Sequence, residues 1–142
     1  MTTSARQRTA FESLLACVDG RAGKDAVASC LAEKVVLNSP ILDEPVTGRD
    51  AVAEVLQAVY ALGDLTTEEV LSGEAHQSAF FRLQIEDTVV HGMDYARFDT
   101  DGRIIELSVL WRPLPSAVEM QGNIAHVLGM QPWELHTKGE GR

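Results

Sequence analysis

The sequence predicts an α+β domain in which a curved antiparallel sheet wraps around three N-terminal helices, with an additional C-terminal helix. Three observations favour this class. Apolar residues recur at helical spacing up to about residue 62, and from Leu65 onward they alternate with polar residues in steps of two. Helices that precede a run of strands are typical of a sheet that packs them on one face. The 142 residues also suit one domain, residues 1–142, with a single core.

Two helices are predicted at the N-terminus. The first begins with a capping box formed by Ser4 and Gln7 and ends at Gly20, since glycine favours helix C-termini. The second, shorter helix covers the segment KDAVASCLAE. The side chains that this spacing directs into the core are Phe11, Leu14, Leu15, Val18, Val27, Cys30 and Leu31.

A short strand and a third helix come next. The segment KVVLNSP predicts a strand that ends at Pro40, and a loop separates this strand from the helix. Thr47 and Asp50 form a second capping box at the start of the helix, and Gly63 lies where its C-cap is expected. The predicted buried stripe of this helix consists of Val52, Val55, Leu56, Val59 and Leu62.

Four successive strands and a last helix complete the predicted order. The segment DTDGR forms a tight turn before the last strand. The helix covers about residues 115–129, and residues 136–142 form a polar tail. The predicted strands are residues 66–74, 76–87, 88–99 and 103–113, and the inner side of the helix consists of Ala117, Met120, Ile124, Val127 and Leu128.

The composition excludes several classes of partner. The chain has 21 acidic and 12 basic residues, a formal net charge of -9, and no run of more than two basic residues. Nucleic acids and anionic membranes bind clustered Lys and Arg, so neither is expected as a partner. No segment approaches the roughly 20 apolar residues that span a bilayer. Cys17 and Cys30 lie in apolar helical patterns and are expected to be reduced core residues of a cytoplasmic protein.

Two stretches carry a resemblance to a known family, LNSPILDEPVTGRDAVAEVL and GMDYARFDTDGRIIELSVLWRP. In these stretches and in the order of its helices and strands, the chain resembles the nuclear transport factor 2-like (NTF2-like) superfamily, and within it the SnoaL-like and ketosteroid-isomerase-like groups. The resemblance covers about residues 8–113. It implies a cone-shaped sheet around the helices, a deep apolar pocket for a hydrophobic small molecule, and a homodimer formed through the outer face of the sheet.

Asp94 is the predicted catalytic residue. Strand alternation places it on the same face as Gly92, Ala96 and Phe98, which is expected to be the inner face. A buried carboxylate is costly unless it is paired, neutralised or used for chemistry. In ketosteroid-isomerase-like proteins, an aspartate in the same Asp-x-x-Arg-Phe context stays protonated and donates a hydrogen bond to an oxyanion. The alternative is a structural Asp94 that bonds to the backbone or to a tryptophan N–H.

The resemblance also implies which residues shape the pocket. Leu107, Val109 and Trp111 on the last strand correspond to pocket-lining positions of the family. The small aliphatic side chains of the helix stripes leave room for a ligand, and Tyr60 is expected at a half-buried rim. The predicted substrate-binding residues are therefore Leu15, Ser39, Val55, Val59, Tyr60, Leu107, Val109 and Trp111.

Two departures from the family argue against steroid isomerisation. Ser39 precedes Pro40 where the isomerase has its general base, and a hydroxyl does not shuttle protons near neutral pH without activation. Leu15 stands near the position of the oxyanion tyrosine of the family. A chain without both groups is not expected to catalyse that reaction.

Two functions remain compatible with these residues. The limonene-epoxide-hydrolase pattern keeps only Arg82, whereas a SnoaL-like cyclase needs little beyond one carboxyl group in a shaped apolar cavity, which Asp94 supplies. The first hypothesis is an enzyme without metal or organic cofactor that performs cyclisation, isomerisation or dehydration on a hydrophobic carbonyl compound. The second is a non-catalytic ligand-binding or dimerisation module of the same fold.

The histidines are predicted to have no catalytic or metal-binding role. His91 lies three residues before Asp94, so the two side chains point to opposite faces of the strand unless Gly92 marks a bulge. His76 and His126 lack Cys, Asp or Glu neighbours at ligand spacing, and no metal site is expected. Tyr95 and Arg97 share the outer face with His91 and suit a dimer interface.

Overall fold

The computed structural model of the chain describes residues 3–19, 22–127 and 129. It confirms the predicted α+β class, with helices at the N-terminus, a curved sheet of six strands that does not close into a barrel, and a C-terminal helix. The elements are α1 (Thr3–Asp19), α2 (Lys24–Ala28), β1 (Leu31–Asn38), β2 (Val46–Thr47), α3 (Arg49–Tyr60), β3 (Asp64–Ser72), β4 (His76–Ile85), β5 (Thr88–Phe98), β6 (Ile104–Arg112) and α4 (Leu114–Val127).

The strand order is β2-β1-β6-β5-β4-β3, so the four predicted C-terminal strands form an antiparallel meander and β1 joins its end. The structure adds two features to the predicted topology: the short strand β2 pairs with β1 inside the predicted loop, and β1 runs parallel to β6, with Leu37 opposite Leu107. Across this pair, Nδ2 of Asn38 donates a hydrogen bond of 2.9 Å to Oγ of Ser108, 70 residues later in the chain. The pairing brings the end of β1 beside the last strand of the meander.

The core lies between the concave face of the sheet and helices α1 and α3. In β5 alternate residues face it, as predicted, and these include Gly92, Asp94 and Ala96. Phe11 of α1 and Val52 of α3 are fully buried. Register shifts between β3 and β4 and between β5 and β6 mark bulges, which bend the sheet around the helices.

Neither predicted capping box forms. Ser4 lies inside α1, and its Oγ donates a hydrogen bond of 2.8 Å to the carbonyl oxygen of Gly73, between β3 and β4. Thr47 belongs to β2, where it pairs with Val36, and Gly48 occupies the N-cap of α3 at φ 96° without a side-chain cap. In both cases the residue that the local pattern predicts as a helix cap instead interacts with a residue from another part of the chain.

Two predicted helix ends are also wrong. α2 ends at Ala28, and Leu31, predicted on its inner face, begins β1 because it pairs with Ile104 of β6. α3 ends at Tyr60 rather than near Gly63, because the chain already turns toward β3 there. Three further predictions fall outside the described residues: the helix end at Gly20, the inner position of Leu128, and the polar tail 136–142.

α4 lies against β5 and β6 and is anchored at the start of β5. The Thr88 hydroxyl donates a hydrogen bond to the Glu119 carboxylate. Met120 and Ile124 are buried as predicted, whereas Val127 is 56% exposed, because it lies at the end of the helix beyond these packed residues. Among the described residues, no helix combines the length and the apolar character that crossing a membrane requires.

Candidate functional site

Asp94 is buried on the concave face of the sheet, as strand alternation predicts. It lies opposite Ala79 of β4 and Val109 of β6, and only 7% of its surface is exposed. Its Oδ1 atom is buried without a hydrogen-bond partner in the described structure. Desolvation by burial raises the pKa of Asp94 from 3.8 to about 7. The carboxyl group is therefore poised to hold or release a proton near neutral pH.

Tyr60 lies near Asp94 and is its electrostatic partner. It is the last residue of α3, and only 7% of its surface is exposed, so it is buried rather than at the half-buried rim that the sequence predicts. Burial raises the pKa of Tyr60 well above its usual value, and the neighbouring Asp94 charge raises it further. The phenol therefore stays protonated and able to donate a hydrogen bond at neutral pH.

Trp111 contributes a third polar group on the same side of the sheet. It follows Val109 by two positions on β6, so both side chains point to the concave face. The indole Nε1–H is buried and has no acceptor in the described structure. Because burying a donor without a partner costs about 1–3 kcal/mol, a native site that keeps one calls for an explanation.

A narrow cavity of about 20 Å³ is lined by Tyr60 and Trp111, and Asp94 lies behind its wall, next to the lining residue Val109. It has room for little more than one water-sized group. Its wall includes the hydroxyl-bearing residue Ser39, whose Oγ accepts a hydrogen bond of 3.3 Å from the backbone N–H of Ile41. The lining residues are Leu37, Ser39, Pro40, Ile41, Val55, Leu56, Val59, Tyr60, Val109 and Trp111.

A larger cavity of about 320 Å³ adjoins the narrow one between α3, the loop after β1, and α4. The two share Ile41, Val55 and Val59 as walls. Nε2 of Gln121 on α4 donates a hydrogen bond of 2.8 Å to the carbonyl oxygen of Ile41, which ties α4 to this wall. The volume falls within the range of small-molecule sites. Apart from Glu54 the lining is apolar: Ile41, Leu42, Ala51, Val55, Ala58, Val59, Leu62 and Ile124.

The predicted site residues fall into three groups. Ser39, Val55, Val59, Tyr60, Val109 and Trp111 line the narrow cavity. Leu15 and Leu107 are buried in the core and are not part of its wall, and Asp94 lies beside the wall residue Val109. The sequence analysis missed Ile41, which both cavities share; its place directly after Pro40, at the end of a predicted strand, was the available signal.

His76 and His91 lie away from this site. His91 is exposed on the convex face, and β5 keeps a continuous register through it, so no bulge turns it toward Asp94. His76 stacks on Tyr95 with ring centroids 4.8 Å apart. In the part of the chain that the structure describes, no three His, Cys, Asp or Glu side chains cluster where they could hold a metal ion.

Comparison with known proteins places the chain in a family. The model of the SnoaL-like domain matches residues 11–107, which is more than half of the chain. The chain belongs to the SnoaL-like domain family. None of the curated proteins compared with this SnoaL-like chain matches it.

Solved structures similar to this SnoaL-like domain have the same fold. A steroid delta-isomerase from Pseudomonas aeruginosa matches with a TM-score of 0.80 and 21% identity, over 88% of this chain and 93% of that one. An NTF2-like protein of unknown function from Mesorhizobium loti matches with 0.72 and 18%, over 80% and 96%. The epoxide hydrolase/cyclase-like enzyme SalBIII, which acts in pyran ring formation in salinomycin, matches with 0.65 and 14%, over 76% and 92%. Likeness at these identities establishes the NTF2-like fold alone.

Proposed function

We propose that the protein is a SnoaL-like enzyme that performs acid-base chemistry on a hydrophobic carbonyl compound without a metal or organic cofactor. Cyclisation, isomerisation and dehydration all fit this chemistry, because each moves a proton next to a carbonyl or hydroxyl group. The observation that carries the proposal is the buried Asp94 carboxyl group, whose Oδ1 atom has no hydrogen-bond partner in the described structure and whose pKa is raised to about 7. A group with this pKa exchanges protons efficiently at neutral pH.

The three polar groups have complementary roles in this proposal. Tyr60 and Trp111 each offer a hydrogen, from O–H and N–H, and protonated Asp94 offers a third. A ligand oxygen in the narrow cavity is the acceptor that the Trp111 N–H lacks. Donors held in an apolar site stabilise negative charge on such an oxygen more strongly than water does. After proton loss, Asp94 is the base that takes a hydrogen from the neighbouring carbon.

The two cavities suggest how the substrate is held. The narrow cavity of about 20 Å³ accepts an oxygen-sized group, and the adjoining apolar cavity of about 320 Å³ accepts a compact hydrocarbon body. Ser39 accepts a hydrogen bond from the backbone of Ile41, and its hydroxyl does not act as a base near neutral pH without activation. This supports a substrate with a single carbonyl or hydroxyl group at one end, and it leaves Asp94 as the residue that moves protons.

Hydrogen exchange next to a carbonyl group tests this proposal without knowledge of the natural substrate. A panel of apolar ketones in D2O is incubated with the protein, and deuterium incorporation at the α-carbon is measured by NMR. Asp94→Asn is expected to lower the enzyme-dependent rate by about 10²–10⁴-fold, the usual contribution of a general acid or base. The exposed carboxyl of Asp87 gives the matched control, and Asp87→Asn is expected to keep the rate. Equal rates for wild type and Asp94→Asn would remove Asp94 from the mechanism.

The pH dependence of the same rate identifies the role of Asp94. Because its pKa is about 7, the ionised base accumulates above pH 7 and the protonated acid below it. A rate that rises through pH 7 assigns Asp94 as the base, and a rate that falls assigns it as the acid. A rate that is flat from pH 5 to 9 contradicts both assignments.

The second candidate function is a non-catalytic ligand-binding module. The observation that favours it is the small volume of the narrow cavity, about 20 Å³, together with the absence of a base at Ser39. In that case the larger cavity alone binds an apolar molecule, and Asp94 has no role in binding. Ala58 lines that cavity, so Ala58→Phe is expected to abolish binding of the uncharged dye Nile red, while Asp94→Asn leaves it unchanged. Catalytic function predicts loss of ketone exchange in both variants.

We also propose that the protein is a homodimer formed through the convex face of the sheet. Phe80, Met93 and Leu110 stand opposite one another on β4, β5 and β6 and form an apolar row across that face. Phe80 is 42% exposed and Leu110 is 58% exposed. Such apolar rows on a surface are typical of interfaces. The neighbouring row consists of Arg82, His91 and Arg112.

The proposed location is the reducing cytoplasm. Cys17 and Cys30 are free thiols in the structure. Structural disulfides persist mainly in oxidising compartments, so a pair of free cysteines fits a reducing one. Fractionation of cells that produce the protein, followed by immunodetection, measures its location directly, and recovery from a secreted or membrane fraction would contradict this proposal.

A further inference from the structure

We propose that Cys17 and Cys30 form a modification site, at which a low-molecular-weight disulfide such as oxidised glutathione converts the two thiols into a reversible intramolecular disulfide. This proposal is independent of the function proposed for Asp94. The sequence analysis expected both cysteines in helices of the core. In the structure Cys17 lies in the last turn of α1, and Cys30 lies in the short connection between α2 and β1. Both are partly exposed.

The two sulfur atoms converge on one point. The Sγ atoms of Cys17 and Cys30 each lie 3.8 Å from the carbonyl oxygen of Ala26. Burial and the charge of the neighbouring Cys17 raise the pKa of the Cys30 thiol, as expected for two sulfurs close together. Because the chain contains 2 cysteines, an intramolecular disulfide has this pairing alone.

The backbone holds both cysteines in place. The carbonyl oxygen of Cys17 accepts a hydrogen bond of 2.7 Å from Ala22, and the carbonyl oxygen of Cys30 accepts one of 3.1 Å from Ile104 of β6. The first bond closes the end of α1, and the second attaches Cys30 to the sheet. A bond between the sulfurs therefore links α1 to the sheet across α2, which lies between the two cysteines in the chain.

Oxidised glutathione forms the Cys17–Cys30 bond in two successive thiol–disulfide exchange steps. The thiolate of one cysteine attacks the S–S bond of oxidised glutathione, forms a mixed disulfide and releases one glutathione thiolate. The other cysteine attacks the mixed disulfide, forms the Cys17–Cys30 bond and releases the second glutathione. The protein loses two electrons and two protons, and the oxidant gains them as two thiols.

The disulfide would also restrict the segments that pack against Tyr60. Val18 and Val27 line a small cavity of about 10 Å³ together with Tyr60 and Ala61. Val18 directly follows Cys17, and Val27 lies on α2. Fixing α1 to the α2–β1 connection therefore restricts the segments that pack behind the Tyr60 ring.

The test uses the purified full chain, first reduced with dithiothreitol and then incubated with oxidised glutathione. Thiol titration of the unfolded product is expected to fall from 2 free thiols per chain to none. Intact mass is expected to drop by two hydrogen atoms, with no glutathione attached and no linked chains on a non-reducing gel. Because the bond closes a loop of about 14 residues, the melting temperature is expected to rise by roughly 5–10 °C and to return on reduction.

Single variants complete the design. Cys17→Ser and Cys30→Ser each replace a partly exposed thiol with a hydroxyl of similar size, so both are expected to fold. Under the same oxidant each is expected to keep its remaining thiol or carry one glutathione, with no rise in melting temperature. Four results would each overturn the proposal: two glutathiones on one wild-type chain, disulfide-linked chains, two persistent thiols, or an internal disulfide that lowers the melting temperature.

Discussion

Each face of the sheet carries exceptions to the usual distribution of polar and apolar side chains. On the concave face, Asp94 and Trp111 carry buried polar atoms without partners in the described structure. On the convex face, Phe80 and Leu110 expose 42% and 58% of their surface. Both arrangements cost free energy relative to ordinary patterning, and such departures cluster at functional sites. The same strands therefore combine a concave face suited to ligand chemistry with a convex face suited to association.

The largest expected effect concerns the pH dependence of stability on the concave face. The pKa of Asp94 is about 7 in the folded chain and 3.8 when exposed. Well below pH 3.8 both states hold the proton. Between pH 4 and 7 the unfolded chain releases it while the folded chain keeps it, so this group lowers the free energy of unfolding as pH rises. The shift of about three pKa units corresponds to roughly 4 kcal/mol at pH 8.

Asp94→Asn measures this effect directly. Denaturant unfolding from pH 4 to pH 8 is expected to show a fall in the free energy of unfolding that the wild type has and Asp94→Asn lacks. Asp87→Asn removes a carboxyl group from an exposed turn and is expected to keep the wild-type slope. If the free energy of unfolding has the same dependence on pH in wild type and Asp94→Asn, the Asp94 carboxyl is as well solvated as one on the surface. The contrast between the two faces would then not hold.

The next effect concerns how tightly the concave face is packed. A Cβ atom at Gly92 would lie 2.3 Å from Cζ of Phe81 and 2.7 Å from the carbonyl oxygen of Leu110. Gly92→Ala is therefore expected to lower the free energy of unfolding by about 1–3 kcal/mol. Gly122 in α4 has no atom within 4 Å of an added Cβ, so Gly122→Ala is expected to raise it by about 0.5–1 kcal/mol. Chemical denaturation of both variants provides the measurement.

A smaller effect on stability distinguishes function from packing at Trp111. Trp111→Phe removes the buried N–H without an acceptor and keeps an aromatic ring, so the free energy of unfolding is expected to change by at most about 1 kcal/mol. The ketone exchange rate is expected to fall on the order of 10²-fold, as for loss of one oxyanion donor. The opposite result would identify Trp111 as a plain core residue: an unchanged exchange rate with a free energy of unfolding lowered by about 3 kcal/mol or more, the usual cost of a large-to-small core substitution.

The smallest effect on the fold is expected on the convex face. Leu110→Glu places a charge on an exposed position, so the free energy of unfolding of the monomer is expected to change by less than about 0.5 kcal/mol. Sedimentation velocity is expected to show the variant as a monomer and the wild type as a dimer. Val118 of α4 is equally exposed at 58% but lies off the sheet, so Val118→Glu is expected to remain dimeric. If both variants remain dimeric, the apolar row of Phe80, Met93 and Leu110 is not the dimer interface.

The local sequence pattern predicts the structure correctly where the residues that interact are close together in the chain. The alternation of β5 placed Asp94 inside, and the segment DTDGR forms the predicted turn, with Oδ1 of Asp99 accepting hydrogen bonds from the backbone of Asp101 and Arg103. Gly102 in this turn has φ 81°, a conformation that glycine adopts without strain. These features depend on residues within one hairpin, so the sequence carries them directly.

The local sequence pattern fails to predict the structure where a residue interacts with a partner far away in the chain. Ser4 and Thr47 looked like helix caps, but Gly73 and Val36 engage them from other elements. The burial of Tyr60 beside Asp94 depends on where α3 crosses the sheet, and no local spacing encodes that crossing. The narrowness of the cavity likewise follows from the way side chains from β1, α3 and β6 fill one space.

The parallel pairing of β1 with β6 has a consequence for the order in which the protein is built. On the ribosome β1 emerges long before β6, yet Leu37 has only the two-residue strand β2 beside it until Leu107 arrives. Closing so long a loop is slow relative to forming the hairpins of the meander. Ser39 directly after β1 and Trp111 of β6 line the same narrow cavity, so the nascent chain completes this cavity among its last steps of folding.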